Sequence, residues 1–105
     1  YEYAQQYIQS DSGNGVEHST SASRLVMNSI QSTDSTGLYI YFYNFPDSSK
    51  YSFYTFQTTT SYVADFEMKF GGGILKQKSV VDGVSFTPNT GTISGTIKLF
   101  GVKEI

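Results

Sequence analysis

The sequence predicts an all-β fold, an antiparallel β-sandwich of jelly-roll type with about eight strands. Three observations predict it. Ser, Thr, Tyr, Phe, Val and Ile dominate the 105 residues while Leu and Ala are scarce, a balance that suits pleated strands and disfavours helices. Apolar residues recur with period two in short stretches instead of every three or four positions. Clusters of Gly, Asn, Asp, Ser and Pro separate these stretches at short intervals, as in sandwiches and barrels.

The elements follow in order. Residues 1–10 alternate Tyr1, Tyr3 and Tyr7 against Ala4 and Ile8, and run into an exposed loop at Asp11-Ser12-Gly13-Asn14-Gly15. Residues 23–30 form a second expected strand, which ends in the polar run from Gln31 to Gly37. Residues 38–45 carry the strongest pattern, with Leu38, Ile40 and Phe42 on one face and Tyr39, Tyr41 and Tyr43 on the other. A turn at Pro46-Asp47-Ser48-Ser49 leads into residues 50–59, where Tyr51, Phe53 and Thr55 oppose Tyr54 and Phe56. Residues 62–70 place Tyr62, Ala64, Phe66, Met68 and Phe70 on one side and Val63, Asp65, Glu67 and Lys69 on the other, which predicts a half-buried strand with its charged side in water. After Gly71-Gly72-Gly73 come residues 74–81, a turn at Asp82-Gly83, a short strand at 84–86, a loop at Pro88-Asn89-Thr90-Gly91 and a last strand at 92–102.

The chain holds one domain, because a core of this size does not divide. It begins without Met, directly in a strand pattern, and is expected to be a segment of a longer polypeptide. No apolar run approaches the roughly 18 to 20 residues that span a bilayer, and the amino terminus lacks the basic and apolar regions of a signal peptide. Membrane insertion is therefore not expected. Charged residues make up 15 % and the net charge is −2, so the chain offers no basic surface for nucleic acid. The absence of Cys removes disulfides, thiol nucleophiles and thiolate metal sites.

Catalytic constellations are weak, and no enzyme activity or cofactor is expected. His18 is the single histidine and lies in the polar stretch Glu17-His18-Ser19-Thr20, without a partner for a metal site or a triad. Asp65 and Glu67 are two apart on one strand face, which reads as a solvated side and not as a glycosidase pair. Gly71-Gly72-Gly73 lacks the Gly-Lys-Ser/Thr of a phosphate loop, and Asp11, Asn14 and Glu17 are too loosely spaced for a calcium loop.

Binding chemistry is better supplied. Sugars stack their apolar faces on aromatic rings and meet short polar side chains with their hydroxyls, and tyrosine serves both demands. Tyr39, Tyr41, Tyr43, Asn44, Asp47, Tyr51, Tyr54 and Tyr62 are the candidate ligand-binding residues. Packing within the fold is the alternative role for each.

The carboxy-terminal third adds a resemblance. The run Val81-Asp82-Gly83-Val84-Ser85-Phe86, then Asn89-Thr90-Gly91-Thr92-Ile93-Ser94-Gly95-Thr96-Ile97-Lys98-Leu99-Phe100-Gly101-Val102-Lys103, resembles the ending of bacteriophage tail-fibre, tailspike and appendage proteins. Ser21-Ala22-Ser23-Arg24-Leu25-Val26-Met27 and the strand at 38–46 match the same family more weakly. Phe100 stands where the family has Tyr, and Glu104-Ile105 extend past its ending. The resemblance implies a carboxy-terminal receptor-binding domain on the virion, at the tip of a fibre or spike. It also implies a homotrimer, serving trimerisation, host-surface recognition or both, and the aromatic and short polar residues permit a bacterial surface polysaccharide as its ligand. The apolar character of both faces at 38–45 is compatible with burial between subunits, and equally with two sheets packed within one chain. Two other readings stand beside this one: an assembly domain without a ligand, and a monomeric carbohydrate-binding module of a glycoside hydrolase.

Overall fold

The computed structural model describes residues 1–27, 36–62 and 65–103. These form an all-β structure built on one antiparallel sheet of five strands: β1 (Glu2–Gln9), β2 (Asn14–Ser19), β3 (Thr36–Tyr43), β4 (Ser52–Tyr62) and β5 (Asp65–Leu75). The spatial order is β2-β1-β5-β4-β3. Pairing of consecutive strands in β1–β2, β3–β4 and β4–β5, and the closure of β5 onto β1, make every neighbouring pair antiparallel. No helix of the described residues is long and apolar enough to cross a membrane.

Several elements depart from the sequence expectation. The exposed loop after residue 10 shortens to a turn, in which the Gln9 amide donates to the Gly13 carbonyl at 2.7 Å, and the chain returns at once as β2. Gly71-Gly72-Gly73, expected to separate two strands, lies inside β5, paired with β1 on one side and β4 on the other. Residues 23–27 make no strand, and residues 28–30 lie outside the described residues. The segments at 76–81, 84–86 and 92–102, expected as strands, join no strand ladder, and of these only Val81 is seen to bond a neighbouring backbone, donating to the Phe45 carbonyl at 2.7 Å, so the described residues hold five strands in one layer of sheet.

Register decides the two faces. Cross-strand partners share a face, so Leu38, Ile40, Phe42, Tyr54, Phe56, Thr58, Lys69, Glu67, Gln5 and Tyr7 lie on one side. This is the packed side: Tyr54 and Phe56 stack with ring centroids 6.0 Å apart, and both are buried. Half-buried Leu25, Val26 and Met27 cross over it, and the Tyr54 hydroxyl donates to the Val26 carbonyl at 3.0 Å. The Tyr54 ring also lies over Gly73, and the Tyr7 ring over Gly15, so two aromatic side chains fill the space of glycines on adjoining strands.

Burial on β5 is the reverse of the expected pattern. Glu67 and Lys69 are each 5 % exposed, while Phe66 on the opposite side is 51 % exposed. The charged pair is held in by neighbours on β1: Gln9 Nε2 donates to Glu67 at 2.9 Å, and the Lys69 ammonium sits 5.3 Å above the Tyr7 ring. Beside them Gln5 Nε2 donates to Glu17 of β2. Amide and ring partners thus make a buried polar strip possible on central strands.

Burial pushes the Tyr54 hydroxyl up to about 12 from an ordinary 10.0. An acid whose folded pKa is raised keeps its full stabilisation below the unfolded value and loses it as pH climbs. The thermal midpoint of the wild-type chain should therefore fall between pH 10 and 12 more steeply than that of Tyr54→Phe. At neutral pH the same variant should lose about 1 kcal/mol for the missing hydrogen bond, read from urea unfolding.

Candidate functional site

Among the described residues the other side of the sheet is open. Register places Tyr39, Tyr41 and Tyr43 of β3 beside Gln57, Thr55 and Phe53 of β4, and these beside Phe70, Gly72 and Ile74 of β5. Ala4 and Ile8 of β1 and Val16 of β2 continue the surface. Tyr39, Tyr41, Tyr43, Phe53, Phe66 and Phe70 are all exposed. Six aromatic side chains, between 37 and 54 % exposed, present roughly 500 Å² or more of aromatic surface on this side of the sheet.

The tyrosines are ordered within this face. Tyr39 and Tyr41 meet edge to face at 5.9 Å, and the Tyr39 hydroxyl donates to Gln57 Oε1 at 2.6 Å. The Tyr43 hydroxyl and Thr55 Oγ1 are 3.5 Å apart. With the polar tips of Tyr39 and Tyr43 turned to β4, the rings present mainly apolar surface. Beside the aromatic surface, toward β1, lies a floor of small residues, because Gly72 and Ala4 pair directly. At the β2 end it deepens into a shallow depression of about 360 Å³ lined by Glu2, Ala4, His18, Gly72 and Ile74. His18, expected in a loop, instead projects from β2 onto this face.

The remaining sequence candidates do other work. Asn44 takes a left-handed backbone conformation at φ 61° and its side-chain amide donates to the Tyr51 carbonyl at 3.1 Å, which fixes the β3–β4 connection. Asp47 accepts from the Ser49 hydroxyl at 2.6 Å and the Ser49 amide at 2.8 Å, and pairs with Lys50 at 3.2 Å. Tyr51 is exposed at that connection, with the Lys78 ammonium 6.0 Å from its ring centre. Tyr54 is 2 % exposed on the packed side, so it belongs to the core and not to the tyrosine surface. The Tyr62 side chain lies outside the described residues. Sequence reasoning singled out Tyr39, Tyr41 and Tyr43 but not Phe53, Phe66, Phe70 or His18. The phenylalanines alternate as core residues do, and only the pairing of β4 with β5 shows that they share the tyrosines' side.

Among the described residues no group of His, Asp and Glu could hold a metal ion. The Asp47 carboxyl is drawn down to about 2, first by the Ser49 hydroxyl and amide and then by Lys50. A carboxylate with a lowered pKa keeps its contribution above the ordinary 3.8 and loses it as pH falls toward 2. A carboxyl-detected NMR titration should therefore place the Asp47 midpoint well below pH 3.8, and Ser49→Ala should move it up.

No protein-family model, curated protein or solved structure matches this chain.

Proposed function

We propose that this chain is a non-enzymatic distal domain of a phage tail fibre or tailspike, which associates with two further copies through the open aromatic face and presents a surface to the host. The observation that carries the reading is that face: Tyr39, Tyr41, Tyr43, Phe53, Phe66 and Phe70 on one side of a single sheet, without a covering layer among the described residues. A sheet buries one face on its core, and a second apolar face is stable in water only when another surface covers it. Three copies is the number that the resemblance of residues 81–103 implies. In this reading the second layer of the jelly-roll-like sandwich is completed on assembly.

A bacterial surface polysaccharide is the ligand this reading expects, and the depression at Glu2, Ala4, His18, Gly72 and Ile74 offers it a carboxylate, an imidazole and a small-residue floor. Assembly without a ligand is the second reading, favoured by the engagement of the Tyr39 and Tyr43 hydroxyls within the sheet. An array of purified bacterial surface polysaccharides separates the two. Binding lost in His18→Ala supports the receptor-binding reading, and no binding by an assembled chain supports assembly alone. Binding by a stable single chain would instead point to a carbohydrate-binding module.

A further inference from the structure

Two features of the molecule fit each other and are used by nothing described so far. The first is the outer edge of β3. It is an end strand of the sheet, eight residues long, and carries no charge and no proline. The opposite end strand, β2, is shorter and holds Glu17 and His18. Natural sheets guard their edges with charge, proline or brevity, and β3 has none of these, so its outer backbone groups, unpaired among the described residues, are open to pairing.

The second feature is the segment at 92–102. It has the alternation of a strand, with Ile93, Ile97 and Leu99 on one side and Thr96, Lys98 and Phe100 on the other. Yet it belongs to no strand, and its apolar side chains stand in water: Leu99 is 88 % exposed and Phe100 78 %. An apolar, strand-patterned segment without a ladder is half of a β-pairing.

We propose that residues 92–102 of one copy add as a strand to the free edge of β3 in a neighbouring copy. The proposal rests on the association proposed above and names its second contact. Alternation fits on both sides. The Ile97 and Leu99 side extends the Leu38, Ile40 and Phe42 row, while the Phe100 side extends the tyrosine row. Within one chain the segment leaves this edge unused: Val81, ahead of it, donates to the Phe45 carbonyl just past β3 at 2.7 Å, yet residues 92–102 pair with no strand. Asn89 accepts from Arg24 at 3.1 Å, and the stretch holding Arg24 is fastened to the start of β1, where Ala22 donates to the Tyr1 carbonyl at 3.0 Å.

The test uses the full chain and Ile97→Pro. Proline removes a ladder donor, and residue 97 is so exposed in the single chain that the variant should keep its far-UV circular dichroism. The expected results are an assembled mass for the wild type and a single-chain mass for Ile97→Pro at the same concentration. By hydrogen exchange, the β3 amides that point away from β4 should lose at least tenfold protection in the variant. Should the variant misfold, diluting the wild type until it dissociates reads the same amides. An Ile97→Pro chain that stays assembled with β3 protected would overturn strand exchange and leave the proposed assembly standing. A wild-type chain that is single at every concentration would overturn both, and β3 protection there would mean that the segment pairs with its own edge.

Discussion

Tyr41→Asp should leave the sheet folded and weaken association between copies by about 30-fold or more, the consequence of losing roughly 2 kcal/mol at a central aromatic contact. Tyr41 is the clean position for this test. Its ring is exposed and lies between Tyr39 and Tyr43 on β3, and the hydroxyls of those two neighbours are tied to Gln57 and Thr55. An aspartate there meets water in the single chain and costs little. In an assembled form it would be an unpaired charge against apolar rings, which is expensive. Sedimentation velocity across a concentration series reads the change, and unfolding in urea checks that the fold is kept. His18→Ala, at the far end of the same face, should alter the mass distribution much less.

Gly71→Ala should cost about 3 kcal/mol, the upper end of what overpacking does, because β5 is the central strand and cannot yield. A methyl group at residue 71 would run into the Ala4 carbonyl and lie 2.7 Å from Gln5 Cα. At Gly72 it would meet the Tyr54 carbonyl oxygen at 2.5 Å, and at Gly73 the Glu2 carbonyl oxygen at the same distance. These are backbone atoms of neighbouring strands, so no rotamer change relieves them. Gly83→Ala is the control: nothing lies within 4 Å of the added atom, and the unfolding midpoint in urea should hardly move.

Much of the β architecture is legible in the sequence because side-chain alternation is a local property. The tyrosine row and the Leu38, Ile40 and Phe42 row separate by period two alone, and they stand on opposite faces as that period requires. What period two does not contain is which face the rest of the sheet buries. For β5 the apolar residues looked like the inner side, yet Phe66 and Phe70 face outward while Glu67 and Lys69 turn in to Gln9 and Tyr7. Those partners are about sixty residues away in the chain, and a local pattern does not hold them. The glycine triplet reads locally as a break between strands for a related reason. Conformational freedom is one use of glycine, but here the use is room, since the backbones on both sides approach too closely for a side chain.

The candidate site divides along the same line. Tyr39, Tyr41 and Tyr43 were recognisable because three tyrosines at alternate positions in an apolar strand form a surface on their own. Asn44 and Asp47 are polar residues near that surface in sequence, but their hydrogen bonds close the β3–β4 turn. Tyr54 resembles its exposed relatives in sequence and differs only in parity, which places it under Val26 in the core.

The central claim is that the open aromatic face is an interface between copies of this chain. Its most direct test is the absolute mass of the purified chain in solution, by light scattering coupled to size exclusion over a wide range of concentrations. The account predicts a mass near three times the 11.6 kDa of one chain that persists on dilution. A mass of one chain at every concentration would contradict it.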